Sequence, residues 1–147
     1  MKNGFTLLEL LVVIGIISIL MGLGTISYNL AQAKGRDSRR VSDMKASQNA
    51  LEQYYTNNGF KYPVACSDAA AYVNGSWPAD PYNGVINGKT YTYAETCAAN
   101  SYCLCARLEK NGGNYGNPDT DPNPPLDCTS SHWVNGTGEY FCTANMQ

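Results

Sequence analysis

The chain has a single histidine, His132, and no Cys-x-x-Cys pair, so it lacks the ligand spacing of the common zinc sites. Charged residues make up only 15% of its 147 residues, and the formal net charge is −2. That balance gives no support to general nucleic-acid binding. No cysteine precedes Cys66, no proline precedes Pro63, and Glu9 is the only charged residue between Lys2 and Lys34. No clear small-residue cleavage site follows the early apolar run, which argues against a secretory signal that is removed beyond it.

What is present is a long apolar stretch close to the amino terminus, from Leu7 to Ile26. It is long enough for a short membrane span. A charge in the middle of a bilayer helix costs about 3 kcal/mol on insertion scales, so Glu9 is a functional suspect. The nearest candidate cation is the amine that a cut after Gly4 would place on Phe5. Positions 5 and 9 stand one above the other on a helix. Gly15, Gly22 and Gly24 weaken a helix in water, whereas in membranes small residues let helices approach closely. The length suits one domain plus an anchor. Abundant Gly, Asn, Thr, Ser and Tyr suit a loop-rich surface outside the cytoplasm. The six cysteines, Cys66, Cys97, Cys103, Cys105, Cys128 and Cys142, all follow the apolar run. An even count confined to the exported part reads as a disulfide framework whose connectivity the sequence leaves open.

The run Gly4-Phe5-Thr6-Leu7-Leu8-Glu9-Leu10, followed by apolar residues, resembles the amino-terminal signature of type IV pilins and type II secretion pseudopilins. The resemblance implies a leader of residues 1–4, here short, with cleavage between Gly4 and Phe5 by a membrane aspartyl prepilin peptidase. It implies N-methylation of Phe5 and a role for Glu9 in adding the subunit to a filament. Where many family members carry a proline, this chain has Ile26. The stretch Leu51 to Pro63, in which Tyr54-Tyr55, Asn58-Gly59 and Tyr62-Pro63 occur in order, is similar to the helix exit of many pilins and of the major pseudopilin.

The expected fold class is α+β, a pilin-like lollipop with a long amino-terminal helix packed on a small antiparallel sheet. Residues 5–27 form the membrane and assembly half of the helix, and residues 28–147 an extracytoplasmic domain that includes its outer half. Val41, Met44, Gln48, Leu51 and Tyr55 define the helix stripe that packs on the domain. Arg36, Arg39 and Arg40 lie off that stripe, on a solvated face or against acidic groups of a neighbouring subunit. Lys34 to Lys45 is basic, and the positive-inside tendency would place it in the cytoplasm; the cysteines and the family resemblance point outward. Gly59 suits a left-handed helix cap. Residues 64–83 read as loop, and Asn87-Gly88 as a hairpin turn between short strands. Tyr102 to Glu109 alternates as a strand, placing Cys103 and Cys105 on one face. Lys110 to Asp127 reads as a long loop. Two last strands, His132 to Val134 and Glu139 to Cys142, would turn about Asn135 to Gly138.

Among other chemistry, Asp119, Asp121 and Asn123 offer alternating oxygen ligands, as calcium loops do, although Pro124 and Ser130 stand where such loops want glycine and glutamate. Major pseudopilins bind calcium in a carboxy-terminal loop, so the resemblance keeps calcium as a candidate cofactor. It likewise favours a Cys128–Cys142 bridge, as in many pilins. Asp127 with Ser130, Ser131 and His132 supplies the residue types of a hydrolytic triad, but adjacent residues rarely adopt triad geometry. The expected function is therefore not enzymatic. The chain reads as a structural subunit of a type IV pilus or pilus-like filament, first a single-pass membrane protein and then part of an extracellular fibre. Its expected partners are further copies of itself, the prepilin peptidase and an inner-membrane assembly platform. The alternatives are a secretion pseudopilin and, on the basic segment alone, a DNA-binding minor pilin.

Overall fold

The computed structural model describes Gly4, residues 6–116, Cys128 and residues 133–145, with the side chains of 25, 26 and 134–137 left aside. One helix, α1, runs over Leu7–Asn57. A 3-10 helix at Cys66–Tyr72 follows, then strands β1 (Gly84–Ile86), β2 (Lys89–Tyr91), β3 (Tyr93–Ala98), β4 (Ser101–Arg107), β5 (Gly113–Tyr115), β6 (Trp133–Gly138) and β7 (Tyr140–Ala144). Strands β1 and β2 pair by themselves, and the other five form an antiparallel sheet in the order β3-β4-β7-β5-β6. The fold is α+β. The contacts divide the chain into two units, Met1–Lys34 and Gly35–Gln147.

From Leu7 onward the first unit is helix, and its leucines, isoleucines and valines stand exposed from Leu7 to Leu23. Ser18 donates to the Ile14 carbonyl at 2.7 Å and Ser27 to that of Leu23 at 3.4 Å. The hydroxyls are thus satisfied within the helix, as an apolar environment requires. By length and composition this is a helix able to cross a membrane. Its apolar part is exposed, so it is not a core helix.

In the second unit the carboxy-terminal half of α1 buries Arg40, Met44, Ser47, Ala50 and Leu51 completely. Met44, Ala50 and Leu51 form one core with Tyr62, Cys66, Ala69 and the β4 residues Tyr102, Leu104 and Ala106. Burying each larger apolar side chain contributes about 1.5–3 kcal/mol. The expected stripe holds at Met44 and Leu51 and is extended by Arg40 and Ser47. Glu52 accepts the Tyr102 hydroxyl at 2.8 Å and the Tyr62 hydroxyl at 3.1 Å. Burial and the Glu52 charge push the Tyr62 phenol up to about 12.

The helix stops where expected. Gly59 takes φ 67°, and the Phe60 N–H reaches back to the Tyr55 carbonyl at 3.0 Å. That is the six-to-one bond of a Schellman motif, and its usual apolar contact is present in the Tyr55 and Phe60 rings, 5.5 Å apart. The Asn87-Gly88 turn also holds, with φ 51° and 75°, joining β1 to β2.

Four expectations are corrected. Residues 66–72 are a 3-10 helix within the expected loop. Gly113–Tyr115 is a strand inside the expected long loop. The last two strands are not a hairpin: Asn135 to Gly138 belongs to β6, and β5 lies between β6 and β7. The favoured Cys128–Cys142 bridge is replaced by Cys66–Cys97, Cys103–Cys128 and Cys105–Cys142. Register supplies the reason, because β4 and β7 place Cys105 directly opposite Cys142. Cys103 and Cys105 share the sheet face away from Leu104, together with Tyr115, Tyr140 and Cys142. Cys128 then closes on Cys103. Each bridge is worth about 3–4 kcal/mol in the chain-entropy model for loops of these lengths. Peptide mapping without reductant is expected to recover these three pairs; a Cys128–Cys142 peptide would contradict the register.

Candidate functional site

The helix begins at Leu7 with Thr6 as its cap. The Thr6 backbone N–H donates to Glu9 Oε2 at 2.8 Å and its hydroxyl donates to the same oxygen at 2.7 Å, while the Glu9 N–H lies 3.3 Å from the Thr6 hydroxyl. The first intrahelical bond follows, from the Leu10 N–H to the Thr6 carbonyl at 3.3 Å. This is a capping box, which satisfies amides that a helix start otherwise leaves open. Glu9 is exposed, as are its apolar neighbours. Its carboxylate is therefore anchored from one side by its own chain and open on the other. Gly4 is exposed, and a side chain there would meet nothing within 4 Å. Phe5 lies outside the described residues, as do Asp119, Asp121 and Asn123 of the calcium expectation and His132 of the triad types. Among the cysteines, the sulfurs of Cys103, Cys105 and Cys128 lie close together, but each is committed to a disulfide.

The basic segment after the apolar run is a solvated face only in part: Lys34, Arg39 and Lys45 are exposed, whereas Arg36 and Arg40 are engaged by the domain. Arg40 is fully buried. Its guanidinium holds Asp80 through two bonds, at 2.7 and 3.2 Å, and reaches Asp37 and Glu109 at 2.9 Å each. Arg36 binds both oxygens of Glu109 at 2.6 Å. Asp37 also accepts the backbone N–H groups of Glu109 and Lys110, at 2.9 and 3.0 Å, and Asp80 those of Tyr82 and Asn83, at 2.8 and 3.1 Å. Three carboxylates thus face two guanidinium groups, and four amides stabilise the surplus charge. Arg40 is driven down by burial, but its bonds to Asp80 and Glu109 outweigh that and raise it. The Arg36 and Arg40 guanidinium groups hold Glu109 below the usual carboxylate range against the pull of burial. The acidic partners come from the same chain, not from a neighbouring subunit. They also answer much of the positive charge that set the flank against the positive-inside tendency.

Acid should open this domain. Glu109 is depressed by Arg36 and Arg40, and Glu139 by Lys89 and Arg107. Groups with a folded pKa below the unfolded one contribute stability above the ordinary carboxylate value of about 4.3, and lose it as pH falls through the folded value. Glu95, raised by burial against its bond from Trp77, acts with the opposite sign. The thermal midpoint is expected to be flat near neutrality and to fall below about pH 4. A midpoint unchanged down to pH 3 would contradict the network's contribution.

Residues 1–25 match the model of the prokaryotic N-terminal methylation motif. The chain is 38% identical to the type II secretion system core protein G of Aeromonas hydrophila over 50% of this chain and 50% of that protein. It is 28% identical to the fimbrial protein EcpC of Eikenella corrodens over 78% and 79% of the two chains. It is 33% identical to a type IV major pilin protein PilE1 of Neisseria gonorrhoeae over 78% of this chain and 57% of the pilin. No solved structure gives a significant match. The chain is thus an α+β protein with a prepilin-type methylation motif at the head of an exposed apolar helix. Its relatives are type IV pilins and the type II secretion protein G, and the match spans about half the length of the Aeromonas relative. Motif and helix together fit a membrane-anchored precursor.

Proposed function

We propose that the chain is a structural subunit of a type IV pilus or of the pilus-like filament of a type II secretion system. The observation that carries this reading is the methylation motif at the head of a helix whose apolar residues from Leu7 to Leu23 are exposed, with Glu9 the one charge among them. Residues 1–4 are the leader, 5–27 the membrane and assembly segment, and 28–147 the exported domain. Prepilin peptidase cuts between Gly4 and Phe5, and the new Phe5 amine is methylated. The helical part of the segment, residues 7–27, spans about 32 Å, enough for a bilayer. In the filament it buries the same apolar surface among other subunits' helices. Glu9 meets the Phe5 amine of a neighbouring or incoming subunit, which removes much of the cost of an isolated charge in apolar surroundings.

Gly15, Gly22 and Gly24 support helix-on-helix packing. A side chain on any of them would meet nothing within 4 Å in the single chain, so the chain's own contacts do not require glycine there. The secretion reading draws on protein G and the pilus reading on the two fimbrial relatives; both use the same assembly chemistry. A DNA-binding role loses its main support, since Arg36 and Arg40 are engaged by the domain's own carboxylates and Arg39 lies 3.8 Å from Asp43. Antibody raised against residues 35–147 should decorate filaments on native cells and none on cells lacking the prepilin peptidase. Surface fibres that carry the protein without the peptidase would overturn the proposal.

A further inference from the structure

Between the outer half of α1 and residues 72–79 lies a cleft of about 680 Å³. It falls within the size range of small-molecule sites. One wall is a helical stripe containing Arg39, Asp43 and Asn49, and the other includes Tyr72, Asn74 and Trp77. The second wall is an irregular segment, yet it is held at three points. Tyr72 packs edge-on to Tyr54 at 6.2 Å. The Trp77 indole N–H donates to both oxygens of Glu95 at 2.8 Å. Asp80, just beyond, is clasped by the buried Arg40. On the first wall the Asp43 carboxylate accepts the Tyr93 hydroxyl at 2.7 Å. Tyr72, Trp77 and Asp43 therefore stand on supports of their own, and such preorganisation lowers the ordering cost of binding.

The lining chemistry narrows the occupant. A guanidinium and a carboxylate 3.8 Å apart largely cancel, which disfavours phosphate or polyanions. Two amides and a carboxylate offer donors and acceptors for a hydroxyl-rich molecule. Tyr72 and Trp77 offer apolar ring surface for the C–H faces of a pyranose. Among the described residues no strand lines the cleft for a peptide to extend, and Arg39, Asp43, Asn49 and Asn74 make its lining too polar for an apolar helix. We propose that this cleft binds a neutral saccharide, independently of how the apolar helix assembles.

The test uses the full chain in a detergent without a sugar head group. Saturation-transfer NMR is run with methyl β-D-glucopyranoside and methyl β-D-galactopyranoside as probes. At least one is expected to receive saturation in the millimolar range. Asn49→Ala, on an exposed helix position, should weaken that binding about tenfold, and Asp43→Asn by at least as much. Lys61→Ala, outside the cleft, should leave it unchanged and shows that substitution alone is not the cause. Absence of transfer to both sugars from a folded chain overturns the proposal. So does binding that survives Asn49→Ala and Asp43→Asn alike. Concentration-dependent shifts of the Trp77 and Asn49 signals without any sugar effect also overturn it, and would assign the cleft to a second copy of the chain.

Discussion

Replacing Glu9 by alanine is expected to leave a stable membrane protein that makes almost no filaments. On the proposed function, the substitution removes the partner of a cation that assembly places among apolar helices. Stranding one charge of a buried pair costs about 3–5 kcal/mol, so incorporation should fall about a hundredfold or more. In the single chain the loss is smaller, because the substitution removes only the carboxylate half of the capping box, worth about 1 kcal/mol. Two further substitutions separate the roles. Glu9→Gln keeps an oxygen for the Thr6 N–H and loses the charge, and should be nearly as defective as Glu9→Ala. Thr6→Val loses the hydroxyl bonds and keeps the charge, and should lower filament yield only modestly. If Thr6→Val matched Glu9→Ala, helix capping and not charge pairing would be the function of Glu9. The readout is sheared filament mass against total membrane-bound protein.

Arg40→Ala is expected to give the largest loss of domain stability of any single charged residue, because Arg40 is fully buried. It would leave Asp80 almost wholly buried without its guanidinium partner and take a contact from Asp37 and Glu109. Removing one partner of a buried ion pair costs about 3–5 kcal/mol. For a domain of this size the midpoint of thermal unfolding should drop by roughly 10 °C or more. Arg39→Ala is the contrasting case. Its side chain is 66% exposed and lies 3.8 Å from Asp43, so the cost should stay below about 1 kcal/mol. Equal midpoints for the two variants would show that the Arg40 network adds nothing to the fold.

The parts of this protein legible in its sequence are those written in local chemistry. An apolar run with one carboxylate needs no tertiary contact to be read as a span. Gly59 and Asn87-Gly88 carry the left-handed backbone that a cap and a tight turn demand, and both fell where expected. The Thr6-Leu7-Leu8-Glu9 spacing is also a capping-box signature, overlaid by the methylation motif that shares Glu9. What the sequence hides is non-local. The insertion of β5 between β7 and β6 depends on pairing across residues far apart in the chain. The bridges follow from that pairing: Cys142 meets Cys105 because β7 lies on β4 in one register, not because Cys128 is nearer in sequence. Arg40 misleads for another reason. Arginine is almost never fully buried unless paired, and its partners Asp80 and Glu109 lie 40 and 69 residues away.

On the proposed function, Phe5 becomes the first residue and its amine, with Glu9, drives assembly. The most direct test is the intact mass and amino-terminal sequence of the protein purified from its native membrane, with and without reductant. The expected product is a chain that starts at methylated Phe5, with a mass that rises by six hydrogens on reduction as three disulfides open. A chain that still starts at Met1, or that is cut beyond Ile26, would contradict that function, and the assembly role of Glu9 would fall with it.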